Sequence, residues 1–161
     1  MPSRIYSHFV GGPQAIALLF LRLVMGVAFL FHGWPKIQKP LSWMNAMGGS
    51  SIPGFLQAIA AYTEFLGGIA LILGLLTPLA AFGLLCQMLA ALFLVHFPAG
   101  HPFVAAQPEA PSYESALLYL MMSVLLLTFG PGQVSLDALV FGRRATEPPR
   151  SSRLSVANTS S

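Results

Sequence analysis

Charge is the scarcest commodity in this chain. Only 8% of its 161 residues are Asp, Glu, Lys or Arg, with five acidic side chains against eight basic ones. A soluble domain carries roughly a quarter charged residues, so there is too little charge here to clothe a water-soluble globule. Cysteine is almost absent. The single Cys86 excludes an internal disulfide and a CxxC redox pair, and its apolar surroundings read as those of a small core hydrophobe. There is no CxxCH for haem attachment and no strand-borne GxGxxG for a dinucleotide. The apolar stretch after Arg4 lacks the small-residue cleavage pattern of a signal peptide and is too long for one, so it reads as an uncleaved first span. No internal repeat is visible.

What the chain has in quantity is apolar residues: 55% hydrophobic, with a mean hydropathy of +0.72. Crossing about 30 Å of hydrocarbon takes roughly 20 such residues. Four segments fit, at about residues 14–34, 55–76, 78–97 and 114–130, the last being the shortest. The expected fold is an all-α integral membrane bundle of four helices. Thr77 and Pro78 leave room only for a tight hairpin between the second and third spans, with Pro78 suited to a first helical turn. Trp34 and Trp43 fall where indole rings gather at a membrane interface. After Gly130-Pro131-Gly132, the stretch VSLDALVFG reads as a short interfacial helix capped by Ser135. Residues 143–161 read as a basic, disordered tail.

The net charge of +3 and isoelectric point near 9.4 do not point to nucleic acid, because the positive charge is segregated at the ends. With both termini on one side, that side holds Arg4, Arg143, Arg144, Arg150 and Arg153. The other holds Lys36 and Lys39. The bias of Lys and Arg toward the cytoplasm then places both termini there, with residues 1–13 as a cytoplasmic N-terminus and the two longer loops outside.

Ionisable groups inside a membrane are costly and tend to be functional. Arg22 and Glu64 interrupt the first two spans. Counted at 1.5 Å per residue, their levels differ by only about 4 Å, so the expectation is a buried Arg22–Glu64 pair. Such a pair either fixes helix register or makes Glu64 a proton-handling group tuned by Arg22. Gln87, near mid-depth in the third span, extends this network or makes a plain interhelical hydrogen bond. A second polar group is expected at the outer ends: His32 and Lys36 on the first span, His96 on the third, Glu114 on the fourth and His101 in the adjoining loop. It suits a polar substrate or proton entry, or in a lesser reading a metal, although no HxxxH or HxH supports one. Gly26, Gly33, Gly67, Gly68 and Gly74 read as close helix packing.

Three stretches together resemble the DoxX family. They are RLVMGVAFLFHGWPK at the end of the first span, EFLGGIALILGLLTPLAA in the second, and a Glu-led fourth span closing in GPGQVSLDAL. The likeness runs in order over residues 14–142. It implies a four-helix inner-membrane protein of a family named from a thiosulfate:quinone oxidoreductase context, with some members tied to partners in oxidative-stress defence. The family's polar positions would fall on Arg22, His32, Lys36, Glu64, His96, Glu114 and Asp137. The functions this leaves open are a membrane subunit of a quinone-linked redox system, a non-enzymatic anchor for soluble redox proteins, and a small-solute or proton transporter. In the first, a quinone enters from lipid and meets Glu64, Arg22 or the outer histidines. The third asks four short spans to do much unless chains associate.

Overall fold

The computed structural model describes residues 9–47, 52–108 and 110–141. Arg4, Gly48, Gly49, Glu109 and the basic tail from Gly142 onward lie outside the described residues. Among the described residues every regular element is helical. They are α1 (Pro13–Ile37), a 3-10 turn (Trp43–Met47), α2 (Gly54–Leu73), α3 (Thr77–Ala91), α4 (Glu114–Phe129) and α5 (Leu136–Phe141). A π-helical turn, Leu92–His96, continues α3. Three of these, Pro13–Ile37, Gly54–Leu73 and Thr77–His96, are long and apolar enough to cross a membrane, and α4 is a shorter apolar helix. The chain is an all-helical integral membrane bundle.

Its surface pattern inverts that of a soluble protein. Phe20, Phe31, Phe55, Leu66, Leu79 and Phe93 stand more than half exposed. Arg22, Glu64, Gln57 and Asp137 are buried. Lipid welcomes the first set, while the second keeps its charge and hydrogen-bonding groups inside the bundle.

Glycine sets the α1–α2 contact. A Cβ on Gly26 would stand 2.8 Å from the Gly68 carbonyl oxygen, and one on Gly68 would stand 2.8 Å from that of Gly26. One on Gly33 would stand 2.7 Å from the Phe65 amide nitrogen. The two helices therefore touch backbone to backbone, as small residues allow in membranes. Gly74 does something else. At φ 64° it ends α2 in the left-handed conformation, with the Leu75 N–H donating to Ala70 O at 2.9 Å.

The turn between α2 and α3 is Gly74–Leu76, and Thr77 and Pro78 already belong to α3, Pro78 in its first turn as expected. Leu76 adopts φ 50°, a conformation that costs a branched residue about 1–2 kcal/mol. The closing segment holds it there. Asp137, fully buried in α5, accepts from the Leu76 N–H at 2.8 Å and the Thr77 N–H at 2.9 Å, and its own N–H donates to Gly74 O at 2.9 Å. Asp137 thus caps α3 from sixty residues away, although it belongs to another helix. Ser135 caps α5, its Oγ accepting from the Ala138 N–H at 3.1 Å. Far from merely lying along the interface, α5 locks the hairpin.

Two outcomes follow. Asp137→Ala leaves two buried N–H groups and a strained Leu76 without their acceptor, and lowers stability by about 2–3 kcal/mol, read as a drop in Tm in detergent. Gly68→Val forces α1 and α2 apart and reduces the yield of folded protein more than Gly67→Ala does, since a Cβ at Gly67 meets only Leu84 at 3.4 Å, as size-exclusion chromatography would show.

Candidate functional site

The buried charge pair is not the one expected. Glu64 pairs with Lys36, whose Nζ lies 2.5 Å from Oε1 and 2.6 Å from Oε2. Gln87 also donates to Glu64 Oε1, through Nε2. Arg22 is elsewhere: it donates through Nη2 to the Val134 carbonyl oxygen in the segment between α4 and α5. The correction has a geometric cause. Gly33 abuts Phe65, so Glu64 stands level with the last turns of α1, and α1 runs on to Ile37, past the end inferred from hydropathy. From Gly33 back to Arg22 is three helical turns, about 16 Å along the axis. Arg22 therefore lies beside the α2–α3 turn, where a Cβ on Gly74 would overlap its guanidinium.

Three elements converge on Glu64: Lys36 from the last turn of α1, Glu64 itself from α2, and Gln87 from α3. The side chains of Lys36 and Glu64 are 17% and 4% exposed. Lys36 reaches this depth because its aliphatic stem can lie along apolar surface while the ammonium seeks the carboxylate. The ammonium also sits 4.5 Å from the centre of the Trp43 ring, a cation–π contact. The Gln87 side-chain oxygen, Oε1, is buried and accepts no hydrogen bond. A buried acceptor left unpaired costs about 1–3 kcal/mol.

These three side chains border a cavity of about 410 Å³. One wall is the α2 stripe Leu56, Ile59, Ala60 and Thr63, another the α3 stripe Gly83, Cys86, Gln87 and Ala90. Trp43, Met44 and Ile52 close the end nearest the α1–α2 connection. The cavity lining is mainly apolar, the polar side chains being Lys36, Glu64, Gln87, Gln57 and Thr63. Cys86 is exposed and borders this cavity, so it is not the core hydrophobe its surroundings suggested. Hydropathy could not reveal that, because a lipid-facing position and a core position are equally apolar.

The other expected site residues disperse. His32 is exposed and meets the edge of Tyr119, with ring centroids 6.0 Å apart. His96 and His101 do come together, Nδ1 to Nδ1 at 3.0 Å with ring centroids 5.1 Å apart, and Phe97, next in the chain, packs edge-on against Tyr113. Glu114 opens α4, where its carboxylate offsets the helix dipole. None of His32, His96 and Glu114 borders the cavity. Among the described residues no three His, Cys, Asp or Glu side chains gather as a metal centre. Gln57 and Trp43 were missed as site residues. Gln57 carried a readable signal, being an amide in the apolar first turn of a span.

Removing one partner of a buried ion pair strands the other, whereas removing both need not cost much. Lys36→Met should lower stability by roughly 3 kcal/mol. The double variant Lys36→Met, Glu64→Met should recover most of that loss in a double-mutant cycle of detergent unfolding. Arg22→Met should destabilise additively with Glu64→Met, because the two side chains share no partner.

Comparison with known proteins agrees with this architecture. The DoxX family model matches residues 17–97, a stretch that contains Lys36, Glu64 and Gln87. An uncharacterized protein of Haemophilus influenzae is 36% identical over 126 residues, covering 77% of this chain and 90% of its own length. CatD of Bacillus subtilis, provisionally named an oxidoreductase, is 28% identical over 126 residues, covering 78% and 88%. The inner membrane protein YqjF of Escherichia coli is 27% identical over 132 residues, covering 79% and 94%. No solved structure matches the chain significantly. With the family matched over half its length and a relative above 30% identity covering most of it, the chain belongs to the DoxX family of membrane proteins.

Proposed function

We propose that this chain is the membrane subunit of a quinone-linked redox system in a bacterial inner membrane, and that the cavity beside Lys36, Glu64 and Gln87 receives the quinone headgroup. The observation that carries this reading is the polar floor of a mainly apolar cavity. It offers an ammonium donor, a carboxylate and an unpaired amide oxygen side by side. A quinone presents carbonyl oxygens that need donors, and its reduced form presents O–H groups that need acceptors. Lys36 Nζ serves the first and Gln87 Oε1 the second. Glu64, held between them, exchanges the proton that accompanies the change of redox state. The electrons come from a redox partner protein, since the sequence carries no CxxCH and no strand-borne GxGxxG. The relative provisionally named an oxidoreductase supports the reaction class, and the relative named an inner membrane protein supports the compartment.

Arg22 and His32 have no part in this site. His96 and His101 form a separate pair, and Glu114 a helix terminus. Both chain termini face the cytoplasm by the distribution of Arg and Lys, which puts the site toward the outer half of the membrane.

Binding of a short-tailed quinol analogue to the purified protein in nanodiscs tests the reading. Wild type should bind. Lys36→Met should weaken binding about ten- to a hundredfold, the worth of one charge-assisted hydrogen bond. Glu64→Gln, which removes the carboxylate but keeps the side chain's shape, should still bind. Absence of binding to the wild-type protein would remove the quinone from the proposal.

A further inference from the structure

Gln57 lies outside the polar triad, yet it is 2% exposed and every end of it is committed. Its Oε1 accepts from the Met44 N–H at 3.0 Å, and its Nε2 donates to the Ile52 carbonyl oxygen at 3.0 Å. Its backbone carbonyl accepts from Trp43 Nε1 at 2.9 Å. A single residue in the first turn of α2 thereby ties down both ends of the connection from α1. Those ends carry Trp43, Met44 and Ile52, the wall of the cavity nearest Lys36.

We propose that Gln57 is the positioning residue of this site. Its side-chain amide fixes Met44 and Ile52, and with them Trp43, which donates to its main-chain carbonyl, as the wall that separates Lys36 and Glu64 from water at that end of the bundle. Between α2 and α3, Leu56, Ile59 and Cys86 border the cavity and are exposed. The physical reason is the strength of the Lys36–Glu64 pair, which depends on its surroundings. At the same separation two charges attract several times more strongly in a dry protein interior than in water. The cation–π contact of Lys36 with Trp43 is likewise stronger when desolvated. A wall that admitted water would weaken both. The role concerns the cavity itself and does not depend on which molecule occupies it.

Chemical labelling of the full chain in phosphatidylcholine nanodiscs, with no quinone present, tests this. In a Lys39→Arg, Trp34→Phe background, Lys36 is acylated with a water-soluble sulfo-NHS acetate and Cys86 with membrane-permeant N-ethylmaleimide, both followed by peptide mass spectrometry. Acrylamide quenching reports on Trp43, then the sole tryptophan. Gln57→Leu removes both side-chain hydrogen bonds. It should raise the acylation rate of Lys36 about tenfold and increase quenching of Trp43, while the Cys86 rate stays within a factor of about two. Gln57→Glu keeps the acceptor for Met44 and should give a smaller rise, and it serves as the test variant if Gln57→Leu does not fold. An unchanged Lys36 rate overturns the proposal. So does a parallel rise at Lys36 and Cys86, which would mean general loosening of the bundle.

Discussion

The direct backbone contact between α1 and α2 sets every level in this bundle. Gly26 faces Gly68 and Gly33 faces Phe65 with no side chain interposed. That contact decides which residues of the two helices stand side by side. It puts Glu64 within reach of Lys36 and leaves Arg22 beside the turn that follows α2. A shift of one helical turn, about 5.4 Å, would break the Lys36–Glu64 pair and bring side chains into backbone. Register and ion pair therefore support each other, with packing holding the charges together and the charges penalising any slip.

Two polar networks sit at opposite ends of the same frame and have different characters. Around Asp137 the geometry serves structure. Asp137 caps α3, restrains Leu76 in its left-handed conformation and ties α5 to the turn, while Arg22 holds the segment before α5 by the Val134 carbonyl. Those groups look inward to backbone. Around Glu64 the geometry leaves an unpaired acceptor, a reachable ammonium and a cavity open beside them. Buried polar atoms without a partner occur in both networks, Arg22 Nε and Nη1 and Thr77 Oγ1 in the first and Gln87 Oε1 in the second, so saturation does not separate them. What distinguishes the two is the cavity, which Lys36, Glu64 and Gln87 border and Arg22, Thr77 and Asp137 do not.

The order of the networks along the membrane also has a functional sense. In the proposed function, a molecule dissolved in lipid would meet α2 and α3 first, at a stripe that includes Ala60, Thr63 and Gly83. It would meet charge only at the cavity floor. Desolvation of Lys36 and Glu64 strengthens any hydrogen bond they offer. On the reading proposed above, this gradient suits an amphipathic ligand with a compact polar head.

The medium and the helices were legible from the residues alone. Scarce charge and four apolar runs require lipid, and each run is helical in the structure. Gly26, Gly33 and Gly68 already announced close packing, and Ser135 its cap. The identity of Glu64 as a buried, partnered group was readable too, because an acid in an apolar span must find company. Its partner was not. Depth counted along each helix takes the helix ends from hydropathy as level with one another, whereas the Gly33–Phe65 contact sets Glu64 beside the last turns of an α1 that runs on to Ile37, about three turns from Arg22. Hydropathy also cannot tell a side chain facing lipid from one facing a cavity, which hid the place of Cys86. Nor can it foresee that Asp137 caps a helix begun sixty residues earlier, or that Gln57 binds a connection on both sides. One chain's composition dictates where its polar groups cannot rest. Only the three-dimensional packing of α1 on α2 and of α5 on the α2–α3 turn decided which of them meet, because hydrogen bonds and ion pairs act over a few ångströms and sequence distance carries no record of them.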